Sequence, residues 1–214
     1  MKFNAAAILA VACASALATS ANAASTDFST IGTNNVTGSA GYSDGGVTLT
    51  YVGSPGSIWT ISQPTAPSGL SWYPDGGSTG YTDISLTGGG TFTQASLLVG
   101  SGFGGASGQL DYALVSNGSI EATGDWGAVP GYWSGFITAT FSSTSPITDL
   151  WVQAPFGNSV FSSGNYEALA IGEVTLTSAV PEPAAWTLAL LGVAVTVLRK
   201  RKPARAQDTD RAFA

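Results

Sequence analysis

From Phe3 to Leu198 the chain contains no lysine, arginine or histidine, and its single cysteine is Cys13, close to the N-terminus. A fold made from such a stretch has no side-chain cation for a salt bridge and no disulfide. It can build neither a thiolate nor an imidazole metal site. Apolar burial and backbone pairing must hold it together. The acids Asp27, Asp44, Asp75, Asp83, Asp111, Glu121, Asp125, Asp149, Glu167 and Glu173 all fall in this stretch, so the domain between the termini is purely anionic. Phosphate recognition needs Lys or Arg, which excludes a nucleic-acid partner. Attraction to an anionic membrane surface is excluded on the same ground. A Ser-His-Asp triad and a cationic oxyanion clamp are equally out of reach. No cofactor, metal or catalytic group is expected, and the chain reads as a non-enzyme.

Both ends are apolar and read as processing segments. Residues 1–23 have the parts of a secretory signal: Lys2, the apolar run Ala5 to Ala18, and the small-x-small site Ala21-Asn22-Ala23. Signal peptidase is expected to cut after Ala23, with Ala21 as second choice. The rival reading, a lipoprotein signal with Cys13 lipidated, would cut the apolar run in half. At the other end Val180-Pro181-Glu182-Pro183 precedes an uncharged stretch, Ala184 to Leu198, and then Arg199-Lys200-Arg201-Lys202. Pro181 and Pro183 disfavour helix at the residues before them, which leaves an extended segment for a processing enzyme. Pro183 suits the first turn of a helix and Glu182 suits its positive end. The stretch from 184 to 198 spans roughly 22 Å as a helix, against a bilayer core of about 30 Å. Snorkelling by the basic stems or local thinning closes the gap. The basic cluster then stays in the cytoplasm and the domain lies outside.

The order of Pro181-Glu182-Pro183, apolar helix with Gly192, and basic cluster Arg199 to Lys202, behind a signal peptide, resembles the PEP-CTERM sorting signal. The resemblance implies an exosortase-type membrane enzyme as partner. It also implies transient anchoring in the inner membrane and final delivery to the cell surface or extracellular matrix. A permanent uncleaved anchor is the alternative. The expected organisation is signal peptide at 1–23, surface domain at 24–179, sorting signal with transmembrane helix at 180–202, and a polar cytoplasmic tail at 203–214.

The middle reads as strands throughout. Runs rich in Thr, Val, Ile and aromatics recur between Gly, Ser and Pro breaks. Strands are expected at Val47–Val52, Ile58–Ser62, Thr82–Leu86, Thr91–Val99, Leu110–Ser116, Ser119–Thr123, Trp133–Ser142, Ile147–Ala154 and Ala168–Thr177. Asn117-Gly118 accepts positive φ at both positions, as a type I′ hairpin requires. No stretch sustains a capped helical period. Segment Ala24 to Ser43 reads as a loose start. Five tryptophans, Trp59, Trp72, Trp126, Trp133 and Trp151, argue for a folded domain despite the Gly-Ser bias. The fold expected is all-β: an antiparallel β-sandwich, jelly-roll-like, with Trp59 and Trp151 in its core.

Three chemistries remain open to such a domain. Carboxylate pairs drawn from Asp111, Glu121, Asp125, Glu167 and Glu173 would suit glycoside hydrolysis, though acids at strand ends are commonly solvated. Asp44 and Asp75, each in a Gly turn, and Asp83 would suit calcium, though the spacing matches no EF-hand and plain turns account for it. Trp126, Tyr132 and Trp133 flank Pro130-Gly131, and with Asp125 nearby their rings would suit a saccharide if exposed. The leading expectation is a structural or adhesive protein of the cell surface or matrix. The alternatives are a carbohydrate-binding module retained in exopolysaccharide and a carboxylate-dependent glycoside hydrolase.

Overall fold

Alternation along the strands decides the architecture. In Val47-Thr48-Leu49-Thr50-Tyr51 every second residue is buried, and Phe92 to Val99 and Glu173 to Leu176 alternate in much the same way. Such strands present one apolar face each and must bury it against a second layer. The computed structural model describes residues 22–30, 41–54, 58–63, 65–74, 79–102, 108–131, 134–155, 161 and 168–178. The sorting motif, the expected transmembrane helix, the basic cluster, the tail and all of the signal segment before Asn22 lie outside the described residues.

The described chain is all-β, with no α-helix: β1 Ala23–Thr26, β2 Tyr42–Asp44, β3 Val47–Ser54, β4 Ile58–Ser62, β5 Leu70–Pro74, β6 Thr79–Leu86, β7 Phe92–Ser101, β8 Gln109–Ser116, β9 Ser119–Ala128, β10 Ile137–Ile147, β11 Asp149–Gln153 and β12 Leu169–Ser178. They form two six-stranded antiparallel sheets. Sheet A runs β10-β7-β12-β5-β4, with β1 added to the far half of β12; sheet B runs β2-β3-β6-β11-β8-β9. One core lies between them, filled by Leu97, Val99, Leu169, Ile171, Val174 and Leu176 from sheet A and Val47, Leu49, Ile84, Leu110, Leu150 and Val152 from sheet B. Trp72 on β5 is fully buried and donates its indole N–H to the Thr82 hydroxyl on β6 at 3.0 Å, a polar tie between the sheets. Among the described residues no helix is long and apolar enough to cross a membrane.

Two hairpins form where the turn residues demand them. Asn117 and Gly118 have φ of 50° and 80°, the type I′ pattern, and join β8 to β9. Gly45 and Gly46, at 57° and 84°, do the same between β2 and β3. Asp44 therefore ends a strand beside a glycine turn, where it accepts a hydrogen bond from the Thr26 hydroxyl at 3.1 Å.

Three expectations change. The segment from Ala24 to Ser43 is not wholly loose, because β1 pairs with β12 from Ala23↔Thr177 to Thr26↔Val174, and β2 pairs with β3. The run Leu70–Pro74 is a strand that lacked alternation: four of its five residues are buried, since both its faces are covered. Trp151 is not in the core, as its register shows below. The side chain of Trp59 lies outside the described residues.

Candidate functional site

The outer face of sheet B is built by register. On β11, Leu150 and Val152 point into the core, so Asp149, Trp151 and Gln153 point away from it. Trp151 pairs with Asp83 of β6 on one side and Ala113 of β8 on the other. One step along, Gln153 pairs with Asp111 of β8, which in turn pairs with Asp125 of β9. In the other direction Asp149 pairs with Ser85 and Val115. Asp83, Asp149, Asp111 and Asp125 thus share one face of one sheet with a tryptophan among them.

Aromatic rings gather at the same place. Tyr81, two residues before Asp83, lies with its ring centroid 4.8 Å from that of Trp151, tilted by 30°. Phe161 stacks on Trp151 at 6.2 Å and meets Tyr81 at 5.2 Å. All three are only half-buried. Tyr112 and Phe141, by contrast, pair at 5.1 Å on the inner side, and Trp126 packs beside them against the core.

The carboxyls on this face are poorly accommodated. Burial first, and then the Asp149 charge, push the Asp83 carboxyl up to about 7, although the neighbouring Trp151 indole draws it partly back. Burial and then Asp125 push Asp111 up to about 6, against a pull from Gln153. Asp111 is 1% exposed, and neither of its oxygens has an aligned hydrogen-bond donor; Asp83 Oδ1 is likewise buried without an aligned donor, and Trp151 Nε1 without an aligned acceptor. Burial, with a smaller contribution from Asp83, also raises the Tyr81 phenol. Underbonded, perturbed acids beside half-open aromatic rings are a marker of ligand sites.

The residues singled out from sequence scatter. Asp111 and Asp125 are brought together as cross-strand partners. Glu121 is exposed near the Asn117-Gly118 turn. Glu173 is on sheet A, where it lines a polar cavity of about 370 Å³ with Asp27 and Asp44. Among the described residues no group of acids is arranged to hold a metal ion. Trp126 lines a cleft of about 220 Å³ with Tyr112, Asp125 and Phe141 at the open edge between β9 and β10. Asp75, Glu167, Tyr132, Trp133 and Ala21 lie outside the described residues. Tyr81 and the surface role of Trp151 were missed. The signal for them is the Tyr81-Thr82-Asp83 and Asp149-Leu150-Trp151 alternation, which sets acid and aromatic on one side of each strand.

No family model and no curated protein matches this chain. Among solved structures it is similar to a family 29 carbohydrate-binding module from Piromyces equi, at 12% identity over 75% of this chain and 93% of that one, with a TM-score of 0.42. It is also similar to a family 32 carbohydrate-binding module from C. perfringens in complex with galactose, at 16% identity over 62% and 93% of the two chains, with a TM-score of 0.38. Likenesses of this size identify neither a family nor a ligand.

Proposed function

We propose that the domain is a non-catalytic glycan-binding module of an exported protein. The observation that carries this reading is the outer face of sheet B, where Tyr81, Trp151 and Phe161 gather beside Asp83, Asp149, Asp111 and Asp125. Sugar rings have apolar faces that pack on aromatic planes and hydroxyl donors that need acceptors, and this face offers both. We read the winding, in which the chain crosses between sheets after β1, β3, β5, β6, β7, β9, β10 and β11, as jelly-roll-like. This reading takes up the alternative drawn from the sequence, a carbohydrate-binding module retained in exopolysaccharide, in place of the leading expectation of a structural or adhesive protein.

Replacing Trp151 with Ala is expected to weaken binding of soluble oligosaccharides by about 2 kcal/mol, roughly 30-fold, as for a central aromatic anchor. Trp126→Ala, at the edge cleft, is expected to leave affinity within about twofold. Titration calorimetry against a panel of neutral, amino and acidic oligosaccharides checks both. If Trp126→Ala abolishes binding and Trp151→Ala does not, the ligand lies in the edge cleft.

Export and sorting belong to the same proposal and rest on the terminal motifs alone. Glu182→Ala is expected to block removal of Trp186 to Ala214 and to leave the full-length chain in the inner membrane. Membrane fractionation with intact-mass analysis checks this. Identical full-length masses for wild type and variant would mean a permanent anchor.

A further inference from the structure

We propose that the sugar recognised on the outer face of sheet B carries a protonated amine, the ammonium lying between Asp83 and Asp149 with the Trp151 and Tyr81 rings beside it. The inference rests on the glycan-binding reading and names the ligand class of that site.

Charge is its first support. Four carboxylates share this face, and no lysine, arginine or histidine exists from Phe3 to Leu198 to neutralise them. A uronate or sulfated sugar would meet only like charge here, with no cation to hold it. A neutral sugar would leave the Asp83–Asp149 repulsion unrelieved. A cationic sugar relieves it.

Unmet hydrogen bonding is the second support. Asp83 Oδ1 is buried with no aligned donor, and the Trp151 indole beside it satisfies it only in part. It is an acceptor with capacity left for a donor, and an ammonium brings three. The aromatic pair is the third. Tyr81 and Trp151, 4.8 Å apart beside Asp83, offer π faces that attract a cation. Around Asp83 the described groups are Tyr81 on its own strand, Asp149 and Trp151 on β11, and its uncharged partner Thr50 on β3. Its carboxyl, raised to about 7 by burial and by Asp149, is mostly protonated at pH 6, so a bound cation must expel that proton.

The test uses the exported domain with glucosamine, N-acetylglucosamine and glucose oligomers of equal length at pH 6, in two buffers of different ionisation enthalpy. Glucosamine oligomers are expected to bind about tenfold tighter than the other two, with a proton released that the neutral oligomers do not release. Asp83→Asn removes the acid without changing the volume and should erase both the preference and the proton release. Glu121→Gln removes one exposed charge from another part of the surface and should preserve them, which separates a local site from general attraction to a polycation. Equal affinity for all three oligomers overturns the amine proposal and leaves glycan binding standing. A preference that survives Asp83→Asn also overturns it. Binding of no oligomer overturns the glycan-binding reading itself.

Discussion

The domain is expected to lose stability as pH rises from about 4 to about 7, the reverse of the usual behaviour of carboxylate-rich proteins. Asp83 and Asp111 are raised to about 7 and about 6 in the fold, by burial first and by the neighbouring Asp149 and Asp125 second. Their unfolded values lie near 3.8. Between these limits the folded state binds more protons than the unfolded state, so stability falls with each rise in pH until both groups have ionised. Ordinary carboxylates finish titrating by about pH 5, so the decline between about 5 and 7 belongs to this pair. After allowance for solvent screening the two contribute roughly 2–3 kcal/mol, or a fall in Tm of about 5–10 °C. Asp83→Asn and Asp111→Asn should each flatten the decline and raise the Tm at pH 7.5. Calorimetric scans from pH 4 to 8 check this. A Tm that is flat or rising between pH 5 and 7, or a decline untouched by both substitutions, would sink the assignment. Such a cost in stability at neutral pH is what a site maintained for binding, rather than for folding, would carry.

That these two acids face the same way as Trp151 was not legible in the sequence, although their strands were. Val47-Thr48-Leu49-Thr50-Tyr51 announces a half-buried strand through its own alternation, and Asn117-Gly118 announces its hairpin through the φ values only such residues accept. These are local properties. Strand β5 is buried on both faces because of what surrounds it, so Leu70-Ser71-Trp72-Tyr73-Pro74 shows no alternation to read. Strand β1 is four residues long and exists through its pairing with β12, which lies some 150 residues away in the chain. The candidate site depends on register across β6, β11, β8 and β9, and a slip of one residue would move Trp151 from the outer face to the core. Size and apolarity suggested a core tryptophan at 151, whereas the fully buried ring is that of Trp72, which was not singled out for the core. What separates the two is parity with their neighbours: Leu150 and Val152 claim the inner face and leave Trp151 outside.

Trp72→Ala is expected to cost about 4–5 kcal/mol, the largest effect of any single substitution in the described domain. The ring is fully buried on β5, opposite Thr60 on β4 and Ile171 on β12, so its removal empties space that strands paired on both sides cannot collapse to fill. The cost has a second part. The indole N–H is satisfied by the Thr82 hydroxyl at 3.0 Å across the sandwich, and Thr82 is itself fully buried. In a chain with no disulfide and no cation between Phe3 and Leu198, directional ties between the sheets rest on hydrogen bonds such as this one and that from Thr26 to Asp44. Removing one partner leaves the other buried and unbonded, at about 1–3 kcal/mol, whereas removing both is far less costly. Thr82→Val should therefore destabilise in the wild-type background, where it orphans the indole, and be close to neutral beside Trp72→Phe, where no donor remains. Denaturant unfolding at pH 5, where Asp83 and Asp111 are largely protonated, isolates the core from the outer face. A coupling of about 1–2 kcal/mol between the two positions is the expected result. Strict additivity would mean that the Trp72–Thr82 bond contributes nothing to stability.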